Sequence, residues 1–441
     1  MRVQFWGTRG SLAKPGPSTL RYGGNTACVE VRADDGTLIV LDCGTGAHGL
    51  GQALMASGEK PLRGHLLITH THWDHIQGFP FFAPLFIPGN EWDIYAPGGL
   101  GQHLEHTLDG QMEYQYFPVT LGQLGATIRF HDLVEGTFTV GGITVTARYL
   151  NHPAVVLGYR LEADGVTLVY ATDHEPHGVD GLGTHSEDQA HVEFMRGADL
   201  VIHDAQYGLE EWHGGPGGKR GWGHTSVEHA VDFAHLARAQ RLAFFHHDPL
   251  RNDEAVDQLV VRGRVRAAAA DATLEIFGAA EGMEVLLSGR GGTATPSTQG
   301  SAVDPEAAAA PAVETVLIAD DEPDILTLLA EVLELEGLRV LLAGDGDTAL
   351  SLARAAKPSL LLLDWQMPGR DGLEVLRAVR ASEDAAVRDV PVVLLTARAR
   401  AEDTAAGFAA GATDYLTKPF APAHVRSRVR EWLLRARTRV Q

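Results

Sequence analysis

Four side chains that commonly bind metals lie close together near the start of the chain. The segment T-H-T-H-W-D-H-I-Q-G, residues 69–78, follows a short apolar run and carries all four. His70 and His72 can bind one ion, because residues two apart on an extended segment point the same way. Asp74 and His75 lie on the following turn and can bind a second. Imidazole and carboxylate ligands together suit zinc, iron or manganese, so the spacing predicts a dinuclear site.

A dinuclear site needs more ligands than this segment offers. Three candidates each follow an apolar run: His152 in L-N-H-P, Asp173 in Y-A-T-D-H, and His246 in F-F-H-H-D-P. His247, the next residue, is an alternative to His246. Two neighbouring cations can stabilise both oxygens of an in-line displacement and make water nucleophilic at neutral pH. The pattern therefore indicates a hydrolase.

A second group of chemically capable residues occurs near the other end of the chain. Asp320 and Asp321 follow one apolar run and Asp364 ends another. Strand ends gather at one edge of a parallel sheet, and three adjacent carboxylates repel one another unless a hard cation such as Mg²⁺ joins them. Thr396 and Lys418 end two further predicted strands at this edge. The pattern predicts a magnesium site.

Composition divides the chain into two parts. Of the 21 histidines among 441 residues, 20 lie in residues 1–288, and this part has a net charge of −16 within a total of −21. Residues 289–312 are rich in Gly, Ser, Thr, Ala and Pro, which is typical of a flexible linker. We therefore expect one domain over 1–288 and another over 313–441, each long enough for its own core.

The predicted elements place both groups of residues in α/β folds. Short β-prone runs in the first domain are Val3–Trp6, Cys28–Arg32, Leu38–Leu41, Leu66–Ile68, Thr144–Ala147, Leu168–Tyr170, Leu200–Ile202 and Leu242–Phe245. The second domain alternates strands and helices in a (βα)5 pattern that predicts a parallel sheet. Its last two predicted helices are Ala401–Ala410 and Ala423–Arg435.

The motif H-x-H-x-D-H and the later ligands resemble the metallo-β-lactamase fold, in its phosphodiesterase and ribonuclease Z-like branch. This resemblance covers residues 1–288 and implies an αββα sandwich with two metals, zinc first and manganese or iron as alternatives. It assigns to one metal His70, His72 and His152. It assigns to the other Asp74, His75 and His246. Asp173 would bridge both, and Asp42 would support the metal loop without binding a metal.

The same resemblance suggests a proton donor. His224, in G-H-T-S before a predicted helix, resembles the general acid of the family. Asp204 stands where ribonuclease Z-like relatives carry a glutamate paired with that histidine. A carboxylate there would orient the imidazole and stabilise its charged form. We count Asp74 with these two as a catalytic residue.

The motifs D-D-E-P, L-L-L-L-D-W-Q-M-P-G-R-D-G, L-T-A and K-P-F occur in this order in the second domain. They resemble the receiver domain of bacterial two-component response regulators. The resemblance implies phosphorylation of Asp364, and Mg²⁺ held by Asp320, Asp321, Asp364 and the backbone carbonyl of Gln366. It also implies that Thr396 and Lys418 contact the phosphoryl group and that Tyr415 is the aromatic switch.

Together these features predict a phosphorylation-regulated response regulator whose output is a metal-dependent phosphodiesterase for a cyclic nucleotide or another small phosphodiester. The alternatives are a metallo-hydrolase of a lactone or thioester, and a non-catalytic metal-binding signalling protein. The expected partner is a sensor histidine kinase or phosphotransfer protein, with a homodimer as a candidate assembly. The negative charge disfavours nucleic acid and anionic membranes, and no DNA-binding element is visible. Two cysteines and no apolar run of about 18 residues suggest a cytoplasmic protein without disulfides or membrane spans.

Overall fold

The structure is a computed structural model of the chain. It describes residues 1–98, 104–178, 185–213, 217–270, 273–289, 314–396, 407–418, 420, 425–426, 428–430, 432–433 and 436. The expected linker 289–312, apart from Gly289, and most of the last two predicted helices lie outside these residues. The chain divides into two compact units, Met1–Val303 and Asp304–Gln441, called here the first and second unit. The exact domain limits stay a prediction.

The first unit contains two mixed sheets of seven strands each within its described residues. In chain order the strands are β1 (Arg2–Gly7), β2 (Cys28–Arg32), β3 (Leu38–Leu41), β4 (Arg63–Leu67), β5 (Glu91–Pro97), β6 (Thr127–Leu133), β7 (Gly136–Val140), β8 (Ile143–Leu150), β9 (Val156–Ala163), β10 (Val166–Ala171), β11 (Leu200–Asp204), β12 (Arg241–Phe245), β13 (Glu275–Gly278) and β14 (Glu284–Leu286). The strand order is β14-β1-β2-β3-β4-β5-β6 in the first sheet and β13-β12-β11-β10-β9-β8-β7 in the second.

Helices accompany both sheets. The α-helices of the first unit are α1 (Gly46–Ala56), α2 (Trp73–Ile76), α3 (Leu104–Gln111), α4 (Ser186–Phe194), α5 (Leu209–His213), α6 (Val227–Leu236) and α7 (Asp253–Ala269). Short 3-10 turns span Pro17–Thr19, Phe79–Phe81, Ala83–Phe86 and Leu121–Gln123. Apolar residues of α1 and α3 pack on the first sheet, and those of α4, α6 and α7 pack on the second.

The two sheets also contact each other through their inner faces. The Tyr159 hydroxyl donates to the Ile68 carbonyl (2.6 Å), and the Leu157 N–H donates to the Thr69 carbonyl (2.9 Å). The rings of Phe5 and Phe245 pack across this core with their centroids 6.1 Å apart. Helices outside two facing sheets form the predicted αββα sandwich, so the expected fold class is confirmed.

Parallel strands bring distant parts of the sequence to one edge. Strands β3 and β4 are parallel in the first sheet, and β10, β11 and β12 are parallel in the second. Their carboxyl ends are followed by the metal loop 69–78 and by Asp173, Asp204 and His246. Because the sheets face each other, residues more than 170 positions apart meet at this edge.

The second unit is a five-stranded parallel sheet with helices, as the (βα)5 pattern predicts. Its strands are β15 (Thr315–Ala319), β16 (Arg339–Ala343), β17 (Leu360–Asp364), β18 (Val392–Thr396) and β19 (Asp414–Thr417), in the order β16-β15-β17-β18-β19. Its bounded α-helices are α8 (Pro323–Glu334), α9 (Gly346–Ala356), α10 (Gly372–Arg380) and α11 (Ala385–Arg388), of which the sequence did not predict α11. None of the helices in the described part of the chain has the length and apolarity that crossing a bilayer requires.

Candidate metal centres

The metal loop 69–78 begins where β4 ends. His70 is buried, whereas His72 is exposed and stands in an extended conformation just before α2. Asp74 and His75 lie within the single turn of α2 and are both buried. The tight change from strand to helix therefore separates the two pairs of ligands, as the spacing predicts.

One group of donor atoms is nearly equidistant. His75 Nε2 lies 3.2 Å from His246 Nε2 and 3.3 Å from Asp74 Oδ2, and His246 Nε2 lies 3.0 Å from Asp74 Oδ2. Asp173 Oδ2 lies 3.3 Å from His75 Nε2 and 3.4 Å from His246 Nε2. These four atoms converge on one point, and we call this group site B.

A second group lies beside the first. His72 Nδ1 and His152 Nε2 are 3.3 Å apart, and a donor atom of His70 lies within 4.8 Å of both. The other oxygen of Asp173, Oδ1, lies 4.0 Å from His152 Nε2. Asp173 therefore turns one oxygen toward each group. We call this second group site A.

The donors fit divalent transition metals. Zinc bonds to nitrogen and oxygen are about 2.0–2.2 Å, so tetrahedral ligands stand about 3.4 Å apart, close to the separations within site B. Within the described residues the buried His70 Nε2 has no hydrogen-bond partner, which a metal ion would supply. Two carboxylates among five imidazoles form the donor set expected for zinc, iron or manganese.

The second nitrogen of each buried imidazole has its own neighbour, which fixes the orientation of the ring. Those contacts are His70 Nδ1 with Thr69 Oγ1 (3.1 Å), His75 Nδ1 with Asp42 Oδ2 (2.8 Å), His152 Nδ1 with the Gly223 carbonyl (2.9 Å) and His246 Nδ1 with the Gln206 amide (2.6 Å). Asp42 supports the metal loop as expected, since it also accepts from the Thr69 N–H and the Tyr170 hydroxyl.

Backbone strain coincides with these positions. Asp42, Asp173 and His246 adopt left-handed conformations, with φ of 58°, 62° and 56°. Such a conformation costs a non-glycine residue about 1–3 kcal/mol and persists where the surrounding structure requires it. Each of these residues directly follows or nearly follows a strand end, so the strain turns their side chains toward the shared edge.

The ionisation of the group reflects the same crowding. Burial alone would lower the pKa of His75, but the carboxylates of Asp74, Asp173 and Asp42 raise that pKa well above its usual value. Burial would raise the pKa of Asp74, yet His75 and His246 hold it well below its usual value. His152 has few such neighbours, and burial lowers its pKa to about 3. Site B therefore carries ionised carboxylates.

His224 and Asp204 lie next to this centre. His224 Nδ1 is 3.5 Å from Asp204 Oδ2 and 3.7 Å from Asp173 Oδ1. Burial lowers the pKa of His224, but the interactions with Asp204 and Asp173 outweigh burial and raise it. The Thr225 N–H also donates to Asp204 Oδ2 (2.8 Å), so the carboxylate is held in place. The shorter aspartate therefore lies within ion-pair distance of the histidine, without a hydrogen bond to it.

The structure separates the two adjacent histidines that the sequence leaves as alternatives. His246 joins site B, whereas His247 Nε2 pairs with the Ala279 carbonyl at 2.9 Å and its ring packs on Tyr22. Sequence reasoning missed Thr69, Gln206 and Glu175, which contact the centre or its neighbouring loops. Their only sequence signal is nearness to a candidate ligand or strand end.

The acidic pocket of the second unit also assembles. Carboxylate oxygens of Asp320, Asp321 and Asp364 lie within 4.8 Å of one another. Lys418 Nζ lies 2.6 Å from Asp320 Oδ2 and 2.9 Å from Asp364 Oδ1. Burial raises the pKa of Asp364, which Lys418 partly offsets. The donors are all oxygen atoms, which suits Mg²⁺.

The remaining predicted receiver residues lie on the same sheet or just beyond its strands. The Gln366 N–H donates to Asp364 Oδ2 (3.2 Å), and the Lys418 N–H donates to the Thr396 carbonyl (2.7 Å). Tyr415 is half-buried in β19, where its ring meets the edge of Phe408 with the centroids 6.1 Å apart. All these positions lie at or near strand ends of one parallel sheet.

Comparison with known proteins identifies a domain family in each unit. Residues 37–247 match the beta-lactamase superfamily domain, and residues 316–430 match the response regulator receiver domain. The chain thus joins a metallo-β-lactamase-fold domain of the beta-lactamase superfamily to a response regulator receiver domain. The resemblances to the metallo-β-lactamase fold and to the receiver domain, inferred from the sequence motifs, are confirmed.

Individual proteins resemble one part of the chain or the other. The DNA-binding response regulator MtrA of Mycolicibacterium smegmatis is 39% identical over 122 residues, which are 28% of this chain and 51% of that protein. The chain thus spans about half the length of the curated relatives it matches. The metallo-beta-lactamase fold protein YhfI from Bacillus subtilis is 18% identical, over 65% of this chain and 99% of its own, with a TM-score of 0.46. The short form of human tRNase Z is 23% identical over the same shares, with a TM-score of 0.44.

Proposed function

We propose that the first unit is a dinuclear metal phosphodiesterase acting on a cyclic nucleotide or another small phosphodiester. The observation that carries the proposal is the pair of adjacent donor groups that share Asp173, with one oxygen turned toward each group. Such a pair suits an in-line displacement at phosphorus, where charge develops on both the attacking and the leaving oxygen. The substrate is anionic, and the cations would offset the acidic character of the protein around it.

The proposed ligand assignment follows the two groups. Site A comprises His70, His72 and His152. Site B comprises Asp74, His75 and His246. Asp173 bridges them, and zinc is the first candidate metal, with manganese or iron as alternatives. The cations would supply Lewis-acid stabilisation of phosphoryl oxygens and a water of lowered pKa.

The residues of the chain supply the remaining chemistry. A leaving alkoxide needs a proton, and His224 lies beside the centre, where Asp204 and Asp173 raise its pKa, so it is suited to donate one. Asp204 faces His224 Nδ1 and would orient the ring so that its other nitrogen donates. Asp74 combines metal binding with acceptance of the Ser11 N–H at 2.7 Å, which ties the metal loop to the first strand's loop.

A substrate panel tests this proposal. The metal-loaded full chain is assayed with bis-p-nitrophenyl phosphate, a cyclic nucleotide and a lactone, alongside Asp74→Asn and the exposed-residue control Asp109→Asn. We expect hydrolysis of a phosphodiester that Asp74→Asn abolishes and Asp109→Asn leaves unchanged. Hydrolysis of the lactone alone would reject the phosphodiesterase. Two bound metals without hydrolysis of any compound would favour a signalling protein that is not an enzyme.

We also propose that the second unit receives a phosphoryl group on Asp364 from a sensor histidine kinase or phosphotransfer protein. Mg²⁺ would be bound by Asp320, Asp321, Asp364 and the Gln366 carbonyl. Thr396, Tyr415 and Lys418 would report phosphorylation to the receiver surface. A cytoplasmic location and a homodimer also remain part of this proposal.

A further inference from the structure

Two exposed tryptophans are close in sequence to the candidate metal ligands and the candidate proton donor. Trp73 stands between the ligands His72 and Asp74, and 77% of its surface is exposed. Trp222 lies two residues before His224 and is 58% exposed. Large aromatic side chains are usually buried because their apolar surface is costly to hydrate. These two exposed indoles are close in sequence to the candidate ligands His72 and Asp74 and to the candidate proton donor His224. Their exposure therefore calls for a functional explanation.

A short chain of contacts connects these two tryptophans. His72 Nδ1 lies 3.3 Å from His152 Nε2, and His152 Nδ1 lies 2.9 Å from the Gly223 carbonyl. Trp73 directly follows His72, and Trp222 directly precedes Gly223. His72 is the exposed member of site A. The backbones of both tryptophans therefore adjoin residues that belong to site A or contact it.

The segment that carries Trp222 is held rigidly. The buried Glu175 carboxylate accepts from the Gly221 N–H (2.7 and 2.9 Å) and from the Gly223 N–H (2.8 Å). Gly223 has a φ of +83°, and a Cβ there would lie 2.2 Å from His152 Nδ1, so only glycine fits. Trp222 is therefore positioned by groups that also contact the metal centre.

A positive charge lies on the same segment. Lys219 Nζ stands 3.9 Å above the centroid of the Trp222 ring and 5.9 Å from that of Tyr207. The Tyr207 ring lies 6.2 Å from His224. Lys219 and Arg220 are the only lysine or arginine residues between Arg196 and Arg238. Within a domain of net charge −16, this cation is placed where an anionic substrate would approach.

We propose that Trp73, Trp222 and Lys219 form a recognition site for a nucleotide, with the base stacked on an indole and Lys219 beside a phosphate. This rests on the proposed function and narrows its substrate to phosphodiesters that carry an aromatic base. Aromatic stacking accepts any base, and a lysine pairs with phosphate as a point charge. The −16 charge disfavours a long polyanion, so a mono- or dinucleotide fits better than a nucleic-acid strand.

Binding measurements separate this proposal from the proposed activity. The zinc-loaded full chain is titrated with adenosine monophosphate and with ribose 5-phosphate, which lacks the base, by calorimetry and by tryptophan fluorescence. We expect adenosine monophosphate to bind at least about tenfold more tightly than ribose 5-phosphate, because base stacking contributes on that scale. Its binding should also quench the tryptophan fluorescence. Equal affinities for the two compounds would overturn the proposal.

Variants assign the effect to particular side chains. Trp73→Ala and Trp222→Ala are expected to weaken the binding of adenosine monophosphate without changing the binding of ribose 5-phosphate. Lys219→Ala should weaken the binding of both compounds. The exposed controls Tyr114→Ala and Lys60→Ala should change neither. Equal weakening of both compounds in the tryptophan variants would overturn the stacking role. If base-dependent binding occurs while no phosphodiester is hydrolysed, the recognition site stands and the phosphodiesterase fails.

Discussion

The imidazoles of the metal centre each use their two nitrogens for different purposes. In His75 and His246, Nε2 faces site B while Nδ1 meets Asp42 or Gln206. Such outer contacts set the tautomer and the direction of the ligand lone pair. His247, the next residue, is also a histidine, but its Nε2 pairs with the Ala279 carbonyl. At the scale of a residue, the direction in which the imidazole Nε2 points decides which of the two histidines can bind a metal.

The adjacent histidines give a matched pair of variants. We expect His246→Ala to lower the metal content from two ions per chain to about one, because site B loses one of its four donors. His247→Ala should retain two ions, since its ring faces away from the centre. Elemental analysis of the purified variants, with circular dichroism to verify folding, measures this. Loss of metal in His247→Ala alone would contradict the assignment.

At the scale of elements, the site is built from loops that are joined by a few buried polar groups. Glu175 follows Asp173 after β10 and binds the backbone of Gly221 and Gly223, before α6. The Thr225 N–H and the His174 N–H both donate to Asp204 at the end of β11. These contacts fix three loops relative to one another. The backbone N–H groups on either side of His224 donate to carboxylates that lie at or beyond the ends of two neighbouring strands.

Removal of the Glu175 carboxylate tests this coupling between loops. We expect Glu175→Ala to lower kcat/KM for a phosphodiester about 10- to 100-fold, because small displacements of catalytic groups have effects of this size. The metal content should stay at two ions per chain, since Glu175 is not a ligand. Glu175→Gln keeps one carbonyl acceptor and should recover part of the activity. Unchanged kinetics in Glu175→Ala would show that the loop is positioned by other contacts.

The elements also show where sequence patterns suffice. Strands β2, β3, β10 and β12 were predicted because they are short runs made mostly of buried apolar residues. Strands β6 and β7 were missed because they lie at sheet ends and expose many residues, so their composition is mixed. Helix α11 was missed because it is a single turn with no apolar period.

At the scale of the whole molecule, two units with separate cores carry two different kinds of candidate metal site. Sites A and B use nitrogen and oxygen donors, whereas the acidic pocket of the second unit uses oxygen alone. Soft and borderline metals prefer the former and Mg²⁺ the latter. The two sites should therefore respond to different chelators.

Selective chelation tests this difference. 1,10-Phenanthroline removes zinc and iron but not Mg²⁺. We expect it to lower the Tm of the first unit, because metal binding stabilises the folded state and the buried carboxylates and imidazoles would lose the ions that they share. The transition of the second unit should not move. Differential scanning calorimetry of the full chain, with excess zinc as the reversal control, measures both. A shift of both transitions, or of neither, would contradict the prediction.

Regulation also belongs to the scale of the whole molecule. We expect a small-molecule phosphoryl donor with Mg²⁺ to change the rate of phosphodiester hydrolysis, because phosphorylation of Asp364 biases a two-state receiver surface. Asp364→Asn, which cannot form the acyl phosphate, should keep one rate with or without the donor. Equal rates of the unmodified chain under both conditions, with phosphorylation verified by mass spectrometry, would reject the coupling.

The sequence by itself determined the ligand types, their grouping in the metal loop, the two-part organisation and the parallel sheet of the second unit. These depend on local spacing and on apolar periods, which a linear pattern contains. Only the tertiary structure decided that Asp173 faces both donor groups, that His246 rather than His247 joins them, and that Glu175 and Gln206 support the site. Those facts depend on strand register and on left-handed turns at strand ends, which bring together residues that have no relation in the sequence.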